Sequence, residues 1–521
     1  MPRLTIDNRA VAVTPGATIL DAARQLGIEI PTLCFLGGCT PSTSCMVCVV
    51  KVKMPDRLLP SCAARAEEGM QVESETAEVR EARRTALELL LSDHPGDCIA
   101  PCQSVCPAHM DIPRMIRRVA TGDFGGAAVE ARAALVLPAT LGHICPAPCE
   151  KGCRRAAHDG ALPIRLLHRH AADADLASGS ISLPACKPAT GKRVAIIGAG
   201  PAGLAAAWHL LQEGCACTVL DDHDRPGGAL RYAVPEDKLP RAVLDAETAL
   251  VARLGAEFRL GVRVGRDISL ADLRKDFDAV LVATGTAKEG DAAALGLAAS
   301  SHGIEADRHT YQTPTSGIFA AGDATNARQV AVRSVGDGAA AAVAILQYLA
   351  GVPIATAHRL FTTRLGHLAA DEMLRLAAGA SSDGRTAPAS GEAAGLSADE
   401  ARREAPRCFH CDCRKADVCK LRRHSAEYAA APNRYHGTRR PFEQDLRHPD
   451  IVYEPGKCIA CGLCVQISAR AGEPLGLAFI GRGFGVRVGV PLGESIAAGL
   501  CKSAAECVAA CPTGALAFKE Q

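Results

Sequence analysis

A chain of 521 residues exceeds what one hydrophobic core organises, and it predicts about three to five domains. Acids and bases balance to a net charge of +1 and aromatic residues make up 3%, which excludes a basic phosphate-tracking face and a base-stacking platform, so no nucleic acid is expected as a partner. No charged leader followed by an apolar segment opens the chain, and the longest apolar run, near residues 339–352, is shorter than a bilayer span and contains Gln347; a soluble, cytoplasmic protein with no membrane insertion is expected.

The first 78 residues open with RLTIDNRAVAVTPGATILDAARQLGIEIPTLC, which reads as two short strands around a polar turn, a helix over about Ala17 to Leu26, and a proline-marked loop that delivers Cys34. That is the outline of a β-grasp domain. Cys34, Cys45, Cys48 and Cys62 follow as C-x10-C-x2-C-x13-C, thiolates that suit a two-iron cluster held between a loop and a returning strand. The spacing resembles the N-terminal [2Fe–2S] domain of the large iron–sulfur subunit of respiratory complex I and of iron-only hydrogenases. Zinc is the alternative, although zinc knuckles favour paired close spacings. Cys39 falls outside the pattern and reads as a small apolar loop residue.

The 24 cysteines are bunched at short spacings, often before proline, which points to metal or iron–sulfur ligation rather than to a disulfide scaffold. Residues 79–190 hold two further runs joined by helical sequence: HPGDCIAPCQSVCPAHMDIP and GHICPAPCEKGCRR. Together they resemble the N-terminal iron–sulfur domain of the glutamate synthase small subunit and of dihydropyrimidine dehydrogenase, where two [4Fe–4S] clusters share ligands crosswise. The resemblance implies one cluster on Cys98, Cys102 and Cys153 and another on Cys106, Cys145 and Cys149. Each then lacks a fourth ligand. His94 stands near the place of the family's missing leading cysteine, and a solvated turn residue is its plainer reading; His168, in LPIRLLHRHAAD, is the candidate for the second cluster, with a packed or surface histidine as its plainer reading.

Residues 191–352 begin with KRVAIIGAGPAGLAAAWHLLQEGCACTVLDD, a strand, a glycine-rich turn, a helix and a second strand ending at Asp221. Gly198, Gly200 and Gly203 form G-x-G-x-x-G directly after the strand, followed into the helix with Pro201 and Ala202. The first glycine allows the tight turn, the second a close pyrophosphate at the helix N-terminus, and the third close packing of helix on strand. Asp221 is placed for ribose hydroxyls. The motif alone does not separate FAD from NAD. Downstream, RPGGALRYAVPEDKLP with Gly227 and Gly228, AVLVATGT with Ala283, Thr284 and Gly285, and TPTSGIFAAGDATN with Gly322 and Asp323 resemble the flavin-binding segments of the glutamate synthase small subunit, and imply FAD. Cys215, Cys217 and Trp208 read as core. Only 31 residues separate Gly285 from Gly317, too few for a nicotinamide domain, which needs two overlapping βαβ units of about 30 residues. GDGAAAA at Gly336 matches a glycine fingerprint only formally and falls in a helical stretch.

Residues 353–405 are rich in Ala, Gly and Ser and read as a linker, clearest over Ala377–Gly395. In residues 406–445, Cys408, Cys411, Cys413 and Cys419 form a compact C-x2-C-x-C-x5-C knot for a [4Fe–4S] cluster or zinc. Residues 446–521 resemble a two-cluster bacterial ferredoxin with one site lost: Cys458, Cys461, Cys464 and Cys511 hold the remaining [4Fe–4S] cluster, Ser468 and Ala504 occupy ligand positions of the other, and Cys501 and Cys507 are vestigial.

The expected fold class is multidomain α/β, with a β-grasp domain, a helical double-cluster domain, a Rossmann-like FAD domain without its nicotinamide domain, and a ferredoxin-like α+β domain. The cofactor set is FAD, one [2Fe–2S] and three or four [4Fe–4S] clusters, with zinc the alternative at the knot, and no catalytic side chain is assigned. The resemblances imply an electron-transfer subunit of an NAD(P)H-linked, diaphorase-like or electron-bifurcating complex. Its partners would be an NADH-dehydrogenase-like FMN subunit with its small [2Fe–2S] companion, and a ferredoxin or a hydrogenase or formate dehydrogenase catalytic subunit. A stand-alone NAD(P)H-dependent flavin enzyme and a structural, cluster-organising subunit are the alternatives.

Overall fold

A computed structural model describes residues 1–287, 290–355, 361–435 and 437–519. The chain divides into two compact units, and neither is continuous in sequence: the first comprises Met1–Ile99, Phe361–Gly379 and His410–Gln521, the second Ala100–Leu360 and Ala380–Phe409.

The first unit opens on a five-stranded mixed sheet in the order Arg9–Ala12, Arg3–Ile6, Gln71–Glu73, Val49–Val52, Arg57–Pro60. Arg3–Ile6 pairs antiparallel with its hairpin partner and parallel with Gln71–Glu73. Thr18 caps the helix Ile19–Gln25, accepting from the Asp21 amide while the Asp21 carboxylate accepts from the Thr18 amide. That capping box starts the helix two residues later than the apolar pattern suggests. Ile19, Leu20, Ala22 and Ala23 face Leu4, Ile6, Val50 and Val72 in one core. The helix Ala77–Ser92 then carries Arg83, fully buried, whose guanidinium donates to the carbonyls of Val49 at 2.8 Å and Ser74 at 3.0 Å and to the Tyr428 hydroxyl at 2.7 Å. One side chain thus ties the N-terminal sheet to a helix, Lys420–Glu427, that ends just before Tyr428. In the C-terminal part, Ile451–Tyr453 pairs antiparallel with Leu516–Phe518, and the helices Leu463–Arg470 and Ala504–Ala510 pack on a core of Ile451, Ile467, Val488, Leu500 and Leu516.

In the second unit the helices Ile112–Thr121, Phe124–Leu135, Pro138–Ile144 and Ile164–Ala177 form a helical half. Asp111 and Asp123 cap the first two, and a buried ion pair, Arg132 to Asp175 at 2.6 Å, joins the second to the fourth. The other half is an all-parallel sheet, ordered Ile318–Ala320, Ala279–Val282, Arg193–Ile197, Ala216–Asp221, Glu257–Leu260, with near-continuous apolar strands as burial on both faces requires. Trp208, Cys215 and Cys217 are buried in its core. Ala279–Val282 and Ile318–Ala320 are direct neighbours. Among the described residues between them lie only a one-turn helix, Asp291–Ala294, and a pair of two-residue strands, Ala299–Ser300 and Gly303–Ile304.

The stretch expected as a linker over 353–405 is not a free spacer. Residues 356–360 lie outside the described ones, residues 361–379 belong to the first unit, and residues 380–405 to the second. Its backbone is pinned by polar side chains: Thr386 and Ala389 amides donate to Glu404 and Glu400 at 2.6 and 2.8 Å, and Arg169 donates to the Ala393 carbonyl at 2.8 Å. Composition reported weak local structure and missed these anchors. Among the described residues no single helix is long and apolar enough to cross a membrane.

Candidate functional site

The N-terminal cysteines converge as two pairs. The sulfurs of Cys34 and Cys45 lie 3.3 Å apart, and Cys48 is hydrogen-bonded to Cys62. Within each pair one thiol eases the ionisation of the other: Cys45 lowers Cys34 to about 6 and is itself raised by Cys34, while Cys62 lowers Cys48 to about 7 and is itself raised by Cys48. Two adjacent thiolate pairs, each suited to one iron, form the donor set of a two-iron cluster.

At the C-terminal end, Cys458, Cys461, Cys464 and Cys511 line one apolar cavity with Tyr453, Val488 and Leu516. Burial pushes the thiols of Cys458 and Cys461 up to about 11 and about 12, and Cys464 upward as well. The Ala460 amide donates to the Cys458 sulfur at 3.4 Å. At the positions expected for a second site, Ser468 is buried with its hydroxyl donating to the Val465 carbonyl and accepting from the Leu477 amide, Cys501 is exposed, and Cys507 is buried with its thiol on the Cys464 carbonyl.

The boundary between the two units falls within both remaining cysteine runs. Cys98 belongs to the first unit and Cys102 to the second; Cys408 belongs to the second and Cys411, Cys413 and Cys419 to the first. In the first unit the Cys413 amide donates to the Cys98 carbonyl at 3.3 Å, and Cys98, Cys413 and Cys419 lie close enough for the charge of one to raise the thiols of the others. Cys419 rises to about 12, chiefly through burial. Thr363 donates its amide to the Cys98 sulfur at 3.5 Å, and the Arg422 amide reaches the Cys419 sulfur at 3.4 Å. His94 lies against Lys457 with a buried, unpartnered Nδ1, and burial lowers its pKa to about 4, so the ring is neutral and able to donate a lone pair. Cys98 thus neighbours Cys413 and Cys419 of the four-cysteine run.

In the second unit Cys106, Cys145 and Cys149 do come together: Cys106 acts on both other thiols and Cys145 on Cys149, all raised chiefly by burial. His168 lies on the helix Ile164–Ala177 with its Nδ1 3.1 Å from the Pro138 carbonyl, and burial holds its pKa near about 4. Pro138 begins the helix that Cys145 ends, so the ring binds the first turn of that helix while the Cys145 backbone amide, donating to the Leu141 carbonyl at 2.8 Å, caps its last. Cys102, Cys153 and Cys408 are partly buried against the core of this unit, on segments that pack together. The helix Pro101–Val105 packs on Pro148–Lys151, and a Cβ on Gly152 would lie 2.5 Å from Val105, a fit that sets Cys102 beside the turn of Cys153. Arg407 and Phe409, either side of Cys408, are held on that same turn: Arg407 donates to Asp159 at 3.0 Å, Arg155 donates to the Arg407 carbonyl, and its guanidinium lies 4.9 Å over the Phe409 ring.

A recurrent backbone turn follows these thiols. Ala147, His410 and Ala460, each two residues after a cysteine, have φ of 51°, 48° and 51°, in the left-handed region that non-glycine residues seldom occupy. Such a turn aims amides back at the sulfur, and no residue type in the sequence announces it. Thr363 and Lys457, both against the Cys98 group, were likewise not foreseen.

The glycine-rich turn has the close approaches that the motif demands. A Cβ on Gly198 would lie 2.3 Å from the Ala283 carbonyl oxygen, and one on Gly203 would lie 1.9 Å from the Gly198 carbonyl oxygen. Gly200 caps the helix Pro201–Gln212, with Pro201 and Ala202 in its first turn and Gly228 at contact distance across from it; Gly227 adjoins Leu244. Thr284 and Gly285 follow the strand that Ala283 leaves, and Gly322 lies against Ala202. Asp221 ends its strand with Oδ2 accepting from the Ala199 amide at 2.6 Å, a brace for the loop, and Oδ1 accepting from the His223 amide. Asp323 accepts from the Arg328 and Gln329 amides at 3.2 Å. Gly336 and Gly338 are packing glycines inside the helix Ala331–Leu349: a Cβ on one would lie 2.3 Å from the Pro107 carbonyl oxygen and on the other 2.1 Å from that of Ala202. This helix therefore lies between the Cys106 turn and the dinucleotide loop.

Known families match three parts of the chain: a 2Fe-2S iron–sulfur cluster binding domain over residues 2–77, dihydropyrimidine dehydrogenase domain II, 4Fe-4S cluster, over 66–180, and an NAD(P)-binding Rossmann-like domain over 196–254. The NADPH-Fe(3+) oxidoreductase subunit beta of Geobacter sulfurreducens is 37% identical over 188 residues, covering 36% of this chain and 28% of that protein. The NADP(+)-dependent formate dehydrogenase subunit beta of Moorella thermoacetica is 37% identical over 207 residues, covering 36% and 29%, and the glutamate synthase [NADPH] small chain of Bacillus subtilis is 37% identical over 188 residues, covering 36% and 38%. The chain thus spans less than half the length of each. These relatives are named as subunits of oxidoreductases, and what this chain shares with known families is a 2Fe-2S domain, a 4Fe-4S domain and a Rossmann-like NAD(P)-binding domain.

Proposed function

We propose that this chain, which joins these three domains in one polypeptide, is an oxidoreductase subunit that binds FAD and relays electrons among its clusters and that flavin within a multisubunit NAD(P)H-linked complex. Its electrons would come from an NADH-oxidising FMN subunit with a small [2Fe–2S] companion and leave to a ferredoxin or to a hydrogenase- or formate dehydrogenase-type catalytic subunit, or flow in reverse. The observation that carries this reading is the short connection between Ala279–Val282 and Ile318–Ala320, which supports a flavin without a nicotinamide domain of its own. Cluster chemistry supplies one-electron steps and the flavin one- or two-electron steps, while this chain's residues set spacing, potential and access.

The cluster assignments follow the groups described. Cys34 with Cys45 and Cys48 with Cys62 would hold a [2Fe–2S] cluster, and Cys458, Cys461, Cys464 and Cys511 a [4Fe–4S] cluster. His94, Cys98, Cys413 and Cys419 would hold a second [4Fe–4S], Cys106, Cys145 and Cys149 with His168 as candidate fourth ligand a third, and Cys102, Cys153 and Cys408 would contribute to a fourth.

Anaerobic purification of the native assembly, with subunit identification and iron, zinc and flavin analysis, tests the reading. Expected are FAD, more than ten irons per chain, negligible zinc, and copurifying FMN-type and catalytic subunits. Rapid, saturable bleaching of FAD by NAD(P)H in the isolated chain would overturn it.

A further inference from the structure

Lys457 is buried among the first unit's cysteines, paired with Glu454 at 2.5 Å. A Cβ on Gly96 would lie 2.8 Å from Lys457 Cε, and one on Gly514 would lie 2.3 Å from the Cys413 sulfur and 3.8 Å from Lys457 Cδ. Two glycines thus leave room for this side chain beside the Cys98–Cys413–Cys419 group. On its other side Lys457 is bonded to Cys458, and its carbonyl accepts from the Thr513 hydroxyl at 2.9 Å, itself 3.6 Å from the Cys511 sulfur. Lys457 acts on Cys413 more strongly than Glu454 does. The Lys457 side chain thus runs beside the Cys98–Cys413–Cys419 group, while its backbone carbonyl faces the Thr513 hydroxyl next to Cys511.

A full positive charge in a buried site is costly unless it has a partner, and Glu454 supplies one. Each electron added to a cluster makes it more negative, so a nearby cation favours the reduced form and a nearby anion the oxidised form. We propose that the Lys457–Glu454 pair sets the potential difference between two neighbouring clusters, raising the one on Cys98, Cys413 and Cys419 above the one on Cys458, Cys461, Cys464 and Cys511. The direction in which an electron rests between them is then written into one ion pair. This inference depends on the cluster assignments made above.

The test is a redox titration of the full chain followed by electron paramagnetic resonance, with iron counted in every variant. The signal of interest is the one that Cys419→Ser removes; if Cys419→Ser removes no signal and no iron, the cluster assignment itself fails. Lys457→Met is expected to lower the reduced-to-oxidised ratio of that signal roughly tenfold at fixed potential, about 59 mV for a one-electron couple. Glu454→Gln is expected to move it the opposite way, and the double variant back towards the wild type, with the C-terminal cluster moving less in each. A purely structural pair would shift both single variants in the same direction or lose iron in both. Retained iron with unmoved potentials, or equal shifts in both clusters, overturns the proposal.

Discussion

Two cysteine groups in the first unit reach a similar end by opposite routes. Cys34, Cys45 and Cys48 come from one loop and Cys62 from the turn after the strand Arg57–Pro60, so all four lie within 29 residues of one another and their spacing alone suggests a site. Cys98 meets Cys413 and Cys419 only because the chain leaves the first unit after Ile99 and returns to it twice, from Phe361 and from His410. A local site is legible in a spacing. A site closed by an insertion is divided between segments that lie far apart in the linear sequence. The sharpest way to break this contrast is to remove the partners singly. Cys98→Ser and Cys413→Ser are each expected to abolish the same paramagnetic signal and about four irons, while Cys102→Ser abolishes a different one. Identical losses for Cys98→Ser and Cys102→Ser would restore the grouping that the linear sequence suggests.

The dinucleotide loop belongs with the local sites. Gly198, Gly200 and Gly203 could be read in advance because each performs its task within one strand, one turn and one helix, and the structure gives Gly198 and Gly203 a close approach. Gly203→Val places a side chain against the Gly198 carbonyl oxygen, 1.9 Å from where its Cβ must go, and is expected to lower bound flavin more than tenfold while leaving the N-terminal two-iron spectrum intact. Gly285→Ala has no atom within 4 Å of its Cβ and meets only the cost of φ at +77°, so its flavin loss should be smaller. Equal losses would remove the steric account. What stayed illegible was of another kind. The pinned backbone over residues 380–405 and the left-handed turns after Cys145, Cys408 and Cys458 depend on distant hydrogen-bond partners or on ligation geometry, neither of which composition records.

If the first unit is closed by distant chain segments, its stability should depend on the contacts that join them. Arg83 is the most exposed to test, since its guanidinium is fully buried and holds Val49 and Ser74 from one segment and Tyr428 from another. Arg83→Met leaves two carbonyls and a hydroxyl without a donor, at about 3–5 kcal/mol. Tyr428→Phe removes one bond, at about 1 kcal/mol. Chemical denaturation should show the two-iron signal lost at lower denaturant in both variants, further for Arg83→Met. Coincidence of both curves with the wild type would mean that the N-terminal sheet folds without the C-terminal segment.

The second unit holds a counterpart in Glu247, a fully buried carboxylate on the helix Arg241–Arg253 that accepts from the Ala139 and Thr140 amides at 2.8 and 2.7 Å. It joins the sheet half to the helix ending at Cys145, and burial raises it from 4.5 to about 7 despite the helix N-terminus that it caps. A carboxyl whose folded pKa is raised keeps its proton after the unfolded chain has lost its own. Stability from this group is therefore greatest below about pH 4.5 and declines as pH rises to about 7, by up to about 3 kcal/mol at roughly 1.4 kcal/mol per unit. Glu247→Gln cannot lose a proton, so the difference in unfolding free energy between variant and wild type should move in the variant's favour between pH 5 and pH 8. Parallel pH profiles would show that this carboxylate is already ionised at pH 5, and that the two amide bonds outweigh its burial.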